Sequence, residues 1–187
     1  NHWIVAVCFV LLALSGLALF SPAFFWLTGV FGTPQLARIV HPFVGVIMVA
    51  GFFVQFFRYF KHNFIDREDV KWMLAVKQAL LGVEVGDIGK YNGGQKVMFW
   101  ALAISMLLMT VSGILIWRAY FGFDITLVRL GAVVHAAAGA VMIGLIMVHV
   151  YAAIWVKGTI RAMWYGTVTR AWAKQHHRAW YRQVTGK

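Results

Sequence analysis

Four histidines, His2, His41, His135 and His149, lie within or at the ends of long apolar runs. An ionisable ring at that depth is costly to place, so each is a candidate for function. Neutral imidazole is also the usual axial ligand of haem iron, alone or paired. His135 and His149 are fourteen residues apart. On a helix that separation is ~1,400° of rotation, within roughly 40° of four full turns, and ~21 Å of rise. Both rings would leave one helix face, too far apart to share a metal and well spaced for two haems stacked across a bilayer. A hydrogen-bonded structural histidine is the plain alternative for any one of the four. A proton relay is the other competing use, and it needs carboxylates beside the rings. Five of the six acids fall in the stretch 66–87 and the sixth is Asp124, so the apolar runs hold none. His62, His176 and His177 lie in basic stretches and are not expected to ligate.

Such rings need long apolar helices to hold them, and the composition supplies these. Of 187 residues, 61% are hydrophobic and 12% charged, with a mean hydropathy of +0.75. Soluble domains carry about twice that charge. Four runs, about 3–20, 43–59, 97–117 and 130–156, approach or exceed the ~20 residues that cross a bilayer as a helix. They do not alternate apolar and polar residues, which excludes a membrane β-barrel. The expected fold is all-α: an integral membrane four-helix bundle forming one domain over 1–187. Thr33-Pro34 suits a helix start. The second helix either begins there and bends at Pro42 or begins at Pro42. Cys8 is the lone cysteine, so the chain holds neither an internal disulfide nor an iron–sulfur cluster. No CxxCH motif is present, which excludes covalently attached c-type haem. Cys8 itself reads as a small buried hydrophobe. The sequence opens on Asn1 rather than Met, which reads as a start within a longer product or after processing, with the approach to the membrane ahead of it.

The net charge of +11 is better explained by lipid headgroups and loop orientation than by nucleic acid. Arg58, Lys61, Arg67, Lys71, Lys77, Lys90 and Lys96 lie between or beside runs two and three. Lys157, Arg161, Arg170, Lys174, Arg178, Arg182 and Lys187 follow run four, and only Arg38, Arg118 and Arg129 remain for the other connections. This bias makes the segment 60–96 and the tail 157–187 cytoplasmic, with both termini inside. His2 then enters from the cytoplasmic side and His41 from the outer side. His135 is near the outer end of run four, and His149 lies deeper towards the cytoplasm. Shared depth pairs His2 with His149 and His41 with His135. Gly16, and the small residues Ala136 to Ala140, would leave room for a macrocycle.

The stretch 69–81 reads as an interfacial helix, with Trp72, Val76 and Leu80 on one face and Lys71 and Lys77 reaching headgroups. The tail mixes Trp164, Tyr165, Trp172, Trp180 and Tyr181 with basic residues, which suits an interfacial or docking segment, or else a solvated basic tail. Leu11-Leu12-Ala13-Leu14-Ser15-Gly16 faintly echoes Leu107-Leu108-Met109-Thr110-Val111-Ser112-Gly113, and ordinary helix packing accounts for both Ser-Gly pairs as readily as a cofactor does.

Over nearly its whole length the chain resembles the gamma subunit of respiratory membrane-bound formate dehydrogenase, a di-haem cytochrome b. The resemblance rests on Asn1-His2-Trp3, Gly32-Thr33-Pro34-Gln35 with Arg38 and His41-Pro42, and Gly89-Lys90-Tyr91-Asn92-Gly93-Gly94-Gln95-Lys96. It continues through His135-Ala136-Ala137-Ala138-Gly139, His149, Trp155-Val156-Lys157-Gly158 and Trp172-Ala173-Lys174 with His176-His177. It implies two b haems, the outer on His41 and His135 and the inner on His2 and His149. It implies an iron–sulfur beta subunit that delivers electrons, and an alpha subunit that oxidises formate at a molybdenum or tungsten pterin outside the membrane. This chain would then be the electron-transfer and quinone-reducing subunit of a formate:quinone oxidoreductase, itself holding no formate-oxidising residue. The expected location is the bacterial cytoplasmic (inner) membrane, multi-pass, in a higher oligomer of the complex.

The resemblance also places a quinone, menaquinone or ubiquinone, beside the inner haem, against His149, Asn92 and Gly94; Gln95 is added from its position. A quinone carbonyl needs a hydrogen-bond donor. Asn92 offers an amide, and Gly93 and Gly94 let backbone approach a ring closely. Alone, Asn92-Gly93-Gly94 reads as a tight loop before run three. Moving an electron inward against a negative interior costs up to ~2.3 kcal/mol per 100 mV, and proton uptake from the cytoplasm completes the charge separation. The nearest rival is the cytochrome b subunit of another respiratory dehydrogenase, such as a nickel–iron hydrogenase. A haem-free anchor or transporter and a stand-alone cytochrome b reductase are the readings of other kinds.

Overall fold

The computed structural model describes residues 1–81, 83, 86–118 and 120–186, with the backbone alone at 79 and 80. Leu80's side chain on the expected interfacial face, and Lys187 in the tail, lie outside the described residues. The fold is an all-α membrane helical bundle, with no strand among the described residues. The helices are α1 (His2–Phe20), α2 (Pro34–Tyr59), α3 (Arg67–Leu74), α4 (Val76–Leu80), α5 (Gly93–Ile116), α6 (Ile125–Trp155), α7 (Thr159–Tyr165), α8 (Arg170–His176) and α9 (Arg178–Thr185). Among the described residues α1, α2, α5 and α6 are long and apolar enough to cross a membrane.

Local chemistry marks the starts of several helices. Thr33 Oγ1 accepts from the Leu36 N–H at 3.1 Å, and Pro34 opens α2. The helix therefore begins at Pro34 and runs through Pro42, which resolves the two starts left open by the sequence. Pro42 has no N–H to give to the carbonyl one turn back, directly beside His41. Ser21 accepts from the Ala23 N–H at 3.4 Å and opens a 3₁₀ helix, Pro22–Phe31, for which no expectation had been formed. Asp124 Oδ1 accepts from the Thr126 N–H at 2.8 Å at the head of α6.

The chain forms two compact units. The first comprises Asn1–Arg58 and Leu102–Gly144. Its core is a soft cluster of Cys8, Met48, Met106 and Met142, wrapped by Val5, Phe9, Leu12, Val44, Val49, Phe52, Leu102 and Met109. Thioether and thiol side chains fill irregular gaps between helices without introducing strong polarity. Cys8 is thus the buried hydrophobe that was expected. The outer faces stay apolar: Ile4, Val7 and Val10 on α1, and Val46, Ile47 and Phe53 on α2, are all exposed. A water-soluble bundle would turn polar residues outward at these positions; a lipid-facing one does not.

The second unit comprises Tyr59–Ala101 and Leu145–Lys187. It is held by polar ties. Asp66 and Asp69 form a reciprocal capping box at the head of α3. Lys96, buried, reaches Asp69 at 2.5 Å and Asp66 at 3.2 Å. The Asp69 N–H on the Asp66 carboxylate holds that acid below its usual value. The Trp100 indole N–H donates to the Asn63 carbonyl at 2.8 Å.

The expected interfacial helix over 69–81 is instead two short helices, α3 and α4, broken at Ala75. Trp72 is half-buried and lies against Gly93 and Gly94 rather than facing outward. The tail is folded as the short helices α7, α8 and α9, with most of its residues exposed. His177 Nδ1 donates to the Gly89 carbonyl at 2.8 Å, the Ala179 N–H to the Ile88 carbonyl at 3.1 Å, and Arg182 pairs with Asp87. The Trp172 indole N–H donates to the Lys157 carbonyl at 2.9 Å. Gly158 sits at φ +93°, where a Cβ would be 2.7 Å from the Trp172 ring, so both backbone and space require glycine there. Burial pushes His177 below its usual pKa.

Candidate functional site

In the first unit, α2 and α6 bring two of the four histidines together. His41 and His135 are both half-buried, with ring centres 6.3 Å apart and ring planes at 67°. Each ring is held by a serine on the helix that precedes its own among the spanning helices. Ser15 Oγ lies 2.7 Å from His41 Nδ1, and Ser112 Oγ lies 2.9 Å from His135 Nδ1.

The proton positions follow from counting donors. A hydroxyl has one proton. Ser15 Oγ lies 2.7 Å from the Leu11 carbonyl, and Ser112 Oγ lies 2.5 Å from the Leu108 carbonyl. Two oxygens that close require the proton between them, so both serines donate to their own helix backbone. The serine oxygen must then accept from histidine. Each Nδ1 therefore carries the ring proton, and each Nε2 keeps a bare lone pair.

That is the state of a neutral metal-ligating imidazole. Two imidazoles on opposite faces of one metal, with bonds of ~2.0 Å and ring centres ~1.2 Å behind the nitrogens, have centres about 6 Å apart. The observed separation fits. Among the described residues no group of three or more His, Cys, Asp or Glu assembles around a common point, so a tetrahedral zinc set is not formed. A pair of neutral imidazoles at this separation would suit haem iron, which takes histidine ligands.

The two Ser-Gly pairs explain the spacing. A Cβ on Gly16 would stand 3.4 Å from His41 Cε1, and one on Gly113 would stand 3.4 Å from His135 Cε1. Gly16 thus makes room for the His41 ring. Ser15 and Ser112, 1% and 2% exposed, are the partners of the two rings that sequence reasoning did not single out. Their signal was the repeated Leu-rich Ser-Gly echo, which pointed to close approach without saying what approached.

His2 opens α1, exposed, with its ring edge-on to Trp3 at 5.6 Å. His149 lies in α6, fourteen residues beyond His135 on the same unbroken helix, and is exposed. The ~21 Å rise between them therefore applies.

Asn92 and Gln95 form a reciprocal cap in the second unit. The Asn92 N–H donates to Gln95 Oε1 and the Gln95 N–H to Asn92 Oδ1, both at 2.9 Å. This is a capping box at the head of α5. A Cβ at Gly93 would be 2.8 Å from the Asp69 carbonyl, and one at Gly94 would be 2.9 Å from Trp72. The aromatic ring that these glycines admit in this structure is the Trp72 indole. His62 is edge-tilted to Tyr91 at 6.4 Å, and His176 and His177 flank Trp172.

Comparison with known proteins points to the cytochrome b class. The family model described as prokaryotic cytochrome b561 matches residues 1–166. The formate dehydrogenase cytochrome b556(fdo) subunit of Escherichia coli K12 is 54% identical over 98% of this chain and 88% of its own length. The nitrate-inducible formate dehydrogenase cytochrome b556(Fdn) subunit of the same organism is 46% identical over 98% of this chain and 86% of its own. The formate dehydrogenase cytochrome b556 subunit of Haemophilus influenzae is 43% identical, over 98% and 79%.

Proposed function

This chain belongs to the prokaryotic cytochrome b561 family, and from that premise we propose that it is the cytochrome b subunit of a formate dehydrogenase, carrying electrons from an outside iron–sulfur partner to a quinone at the cytoplasmic face. The observation that carries the proposal is the close pair His41 and His135, with ring centres 6.3 Å apart and each Nδ1 tied to a serine. Haem b bound there supplies a one-electron carrier in a water-poor interior. His41 and His135 hold the outer group. His2 and His149 hold the inner one, supported by the fourteen-residue spacing on α6 and by the charge bias that sets depth.

The quinone end is assigned to His149, Asn92, Gly94 and Gln95. The α5 cap uses the carboxamide oxygens of Asn92 and Gln95. The NH₂ of Asn92 is then the donor that a quinone carbonyl meets, and Gly94 offers backbone at close approach. The cytoplasmic placement of the segment 60–96, both termini and the tail follows from the basic residues. The partners are the iron–sulfur beta subunit and the molybdenum or tungsten pterin alpha subunit, in a higher oligomer of the complex in the bacterial inner membrane. The near-complete coverage of formate dehydrogenase cytochrome subunits supports this over a nickel–iron hydrogenase attachment.

Purification of the native complex tests the proposal. We expect a formate-oxidising companion, two b haems per copy of this chain, and formate-dependent quinone reduction with protons taken from the cytoplasmic side. A colourless preparation, or proton uptake from the outer face, would overturn it.

A further inference from the structure

We propose that Ser15 and Ser112 are positioning residues for the outer haem: each fixes the tautomer and rotation of one axial histidine and lowers the reduction potential of the iron. The proposal rests on reading His41 and His135 as the axial pair.

The two serines occupy matching places. Ser15 on α1 precedes His41 on α2 by 26 residues, and Ser112 on α5 precedes His135 on α6 by 23. Each is followed by a glycine whose missing Cβ would stand 3.4 Å from the Cε1 of the same imidazole. Each donates its one proton to its own helix carbonyl, so it faces histidine only as an acceptor. Both are almost wholly buried, so water does not compete for the Nδ1 proton. Each Ser-Gly pair thus holds Nδ1 and Cε1 of its histidine and leaves Nε2 as the unprotonated nitrogen.

The chemical consequence has a sign. A hydrogen bond from Nδ1–H to an acceptor pushes electron density into the ring and makes Nε2 a stronger donor. A stronger donor stabilises the oxidised, more positive iron over the reduced one. A hydroxyl that is itself donating elsewhere is a better acceptor than a free one. Two such bonds act on one iron, one from each side.

The test uses the intact complex carrying Ser15→Ala, Ser112→Ala, or the corresponding threonine variants. Haem stoichiometry and a redox titration of each haem are the readouts. Each alanine variant should keep two haems and move the outer haem's redox equilibrium roughly threefold to tenfold towards the reduced form, about 30–60 mV upward by the one-electron constant. The inner haem should not move, and threonine should return the outer haem towards its original value. Loss of the outer haem alone in an alanine variant, restored by threonine, also supports the assignment. Unchanged potentials in a two-haem preparation overturn it, as does a threonine variant that behaves like alanine. His41→Ala is the control for the underlying reading. If it retains the outer haem, the axial pair itself falls, a result distinct from failure of the serines alone.

Discussion

The His41–His135 pair and the Asn92–Gln95 turn both place polar side chains at helices rich in apolar residues, and they treat the polar valences in opposite ways. In the first, each imidazole satisfies one nitrogen through a serine and leaves the other with a lone pair. In the second, the two carboxamide oxygens satisfy two backbone N–H groups that would otherwise be orphaned at a helix start. An open valence held rigidly marks a ligand site. A closed one marks a structural device that can serve a ligand only with what remains, here the Asn92 NH₂.

The largest effect should come from opening the first region. His41→Ala or His135→Ala should abolish the outer haem, halving haem per chain in a pyridine haemochrome assay and blocking formate-dependent reduction of the inner haem. Loss of the inner haem from either change alone would contradict the pairing.

Next is the buried cation beside the second region. Lys96→Met leaves Asp69 buried without its counter-charge, which should cost about 3–5 kcal/mol in thermal unfolding of the detergent-solubilised protein. A loss under ~1 kcal/mol, the value of a solvated pair, would show that the network is not dry.

Smaller and more informative is the contrast between Asn92→Ala and Asn92→Asp. Alanine removes the cap and should cost about 1 kcal/mol. Aspartate keeps an oxygen for the Gln95 N–H and deletes the NH₂, so stability should persist while quinone reduction slows. Unchanged quinone kinetics in the aspartate variant would reduce Asn92 to a cap.

The smallest effect is electrostatic. Burial lowers the pKa of His177 in the docked tail, so an undocked tail binds a proton first as pH falls below ~6.5. Docking is therefore strongest above that value and weakens as pH falls, levelling off below the docked ring's own pKa. Protection factors of the Ala179 and Tyr181 amides, corrected for the intrinsic pH dependence of exchange, should fall over that window, and His177→Gln should flatten the dependence.

Much of this was readable in advance, for reasons that differ by element. Burial in lipid accumulates residue by residue along a run, so the four spanning helices follow from hydropathy alone. Helix rotation is likewise local, so His135 and His149 could be set on one face before any packing was known. The Thr33-Pro34 start is a short-range hydrogen-bond and φ pattern, equally legible. The 69–81 stretch read as one helix because Trp72 and Val76 keep helical period on either side of a break at Ala75, and Trp72 packs against Gly93 and Gly94. The quinone reading of Gly93 and Gly94 drew on their tolerance of a close ring, which Trp72 supplies in this structure.

Chain order and polarity alone specify an all-α membrane protein with four histidines in its long apolar helices, because those properties depend on neighbours a few residues away. Which hydroxyl meets which imidazole, that Lys96 closes on Asp69 twenty-seven residues earlier, and that the tail hangs from Gly89 depend on how helix surfaces meet. A serine beside a glycine reads the same whether it faces lipid, a carbonyl or a ring. Only the packed neighbour decides where its lone pairs go, and with them which imidazole nitrogen keeps the proton.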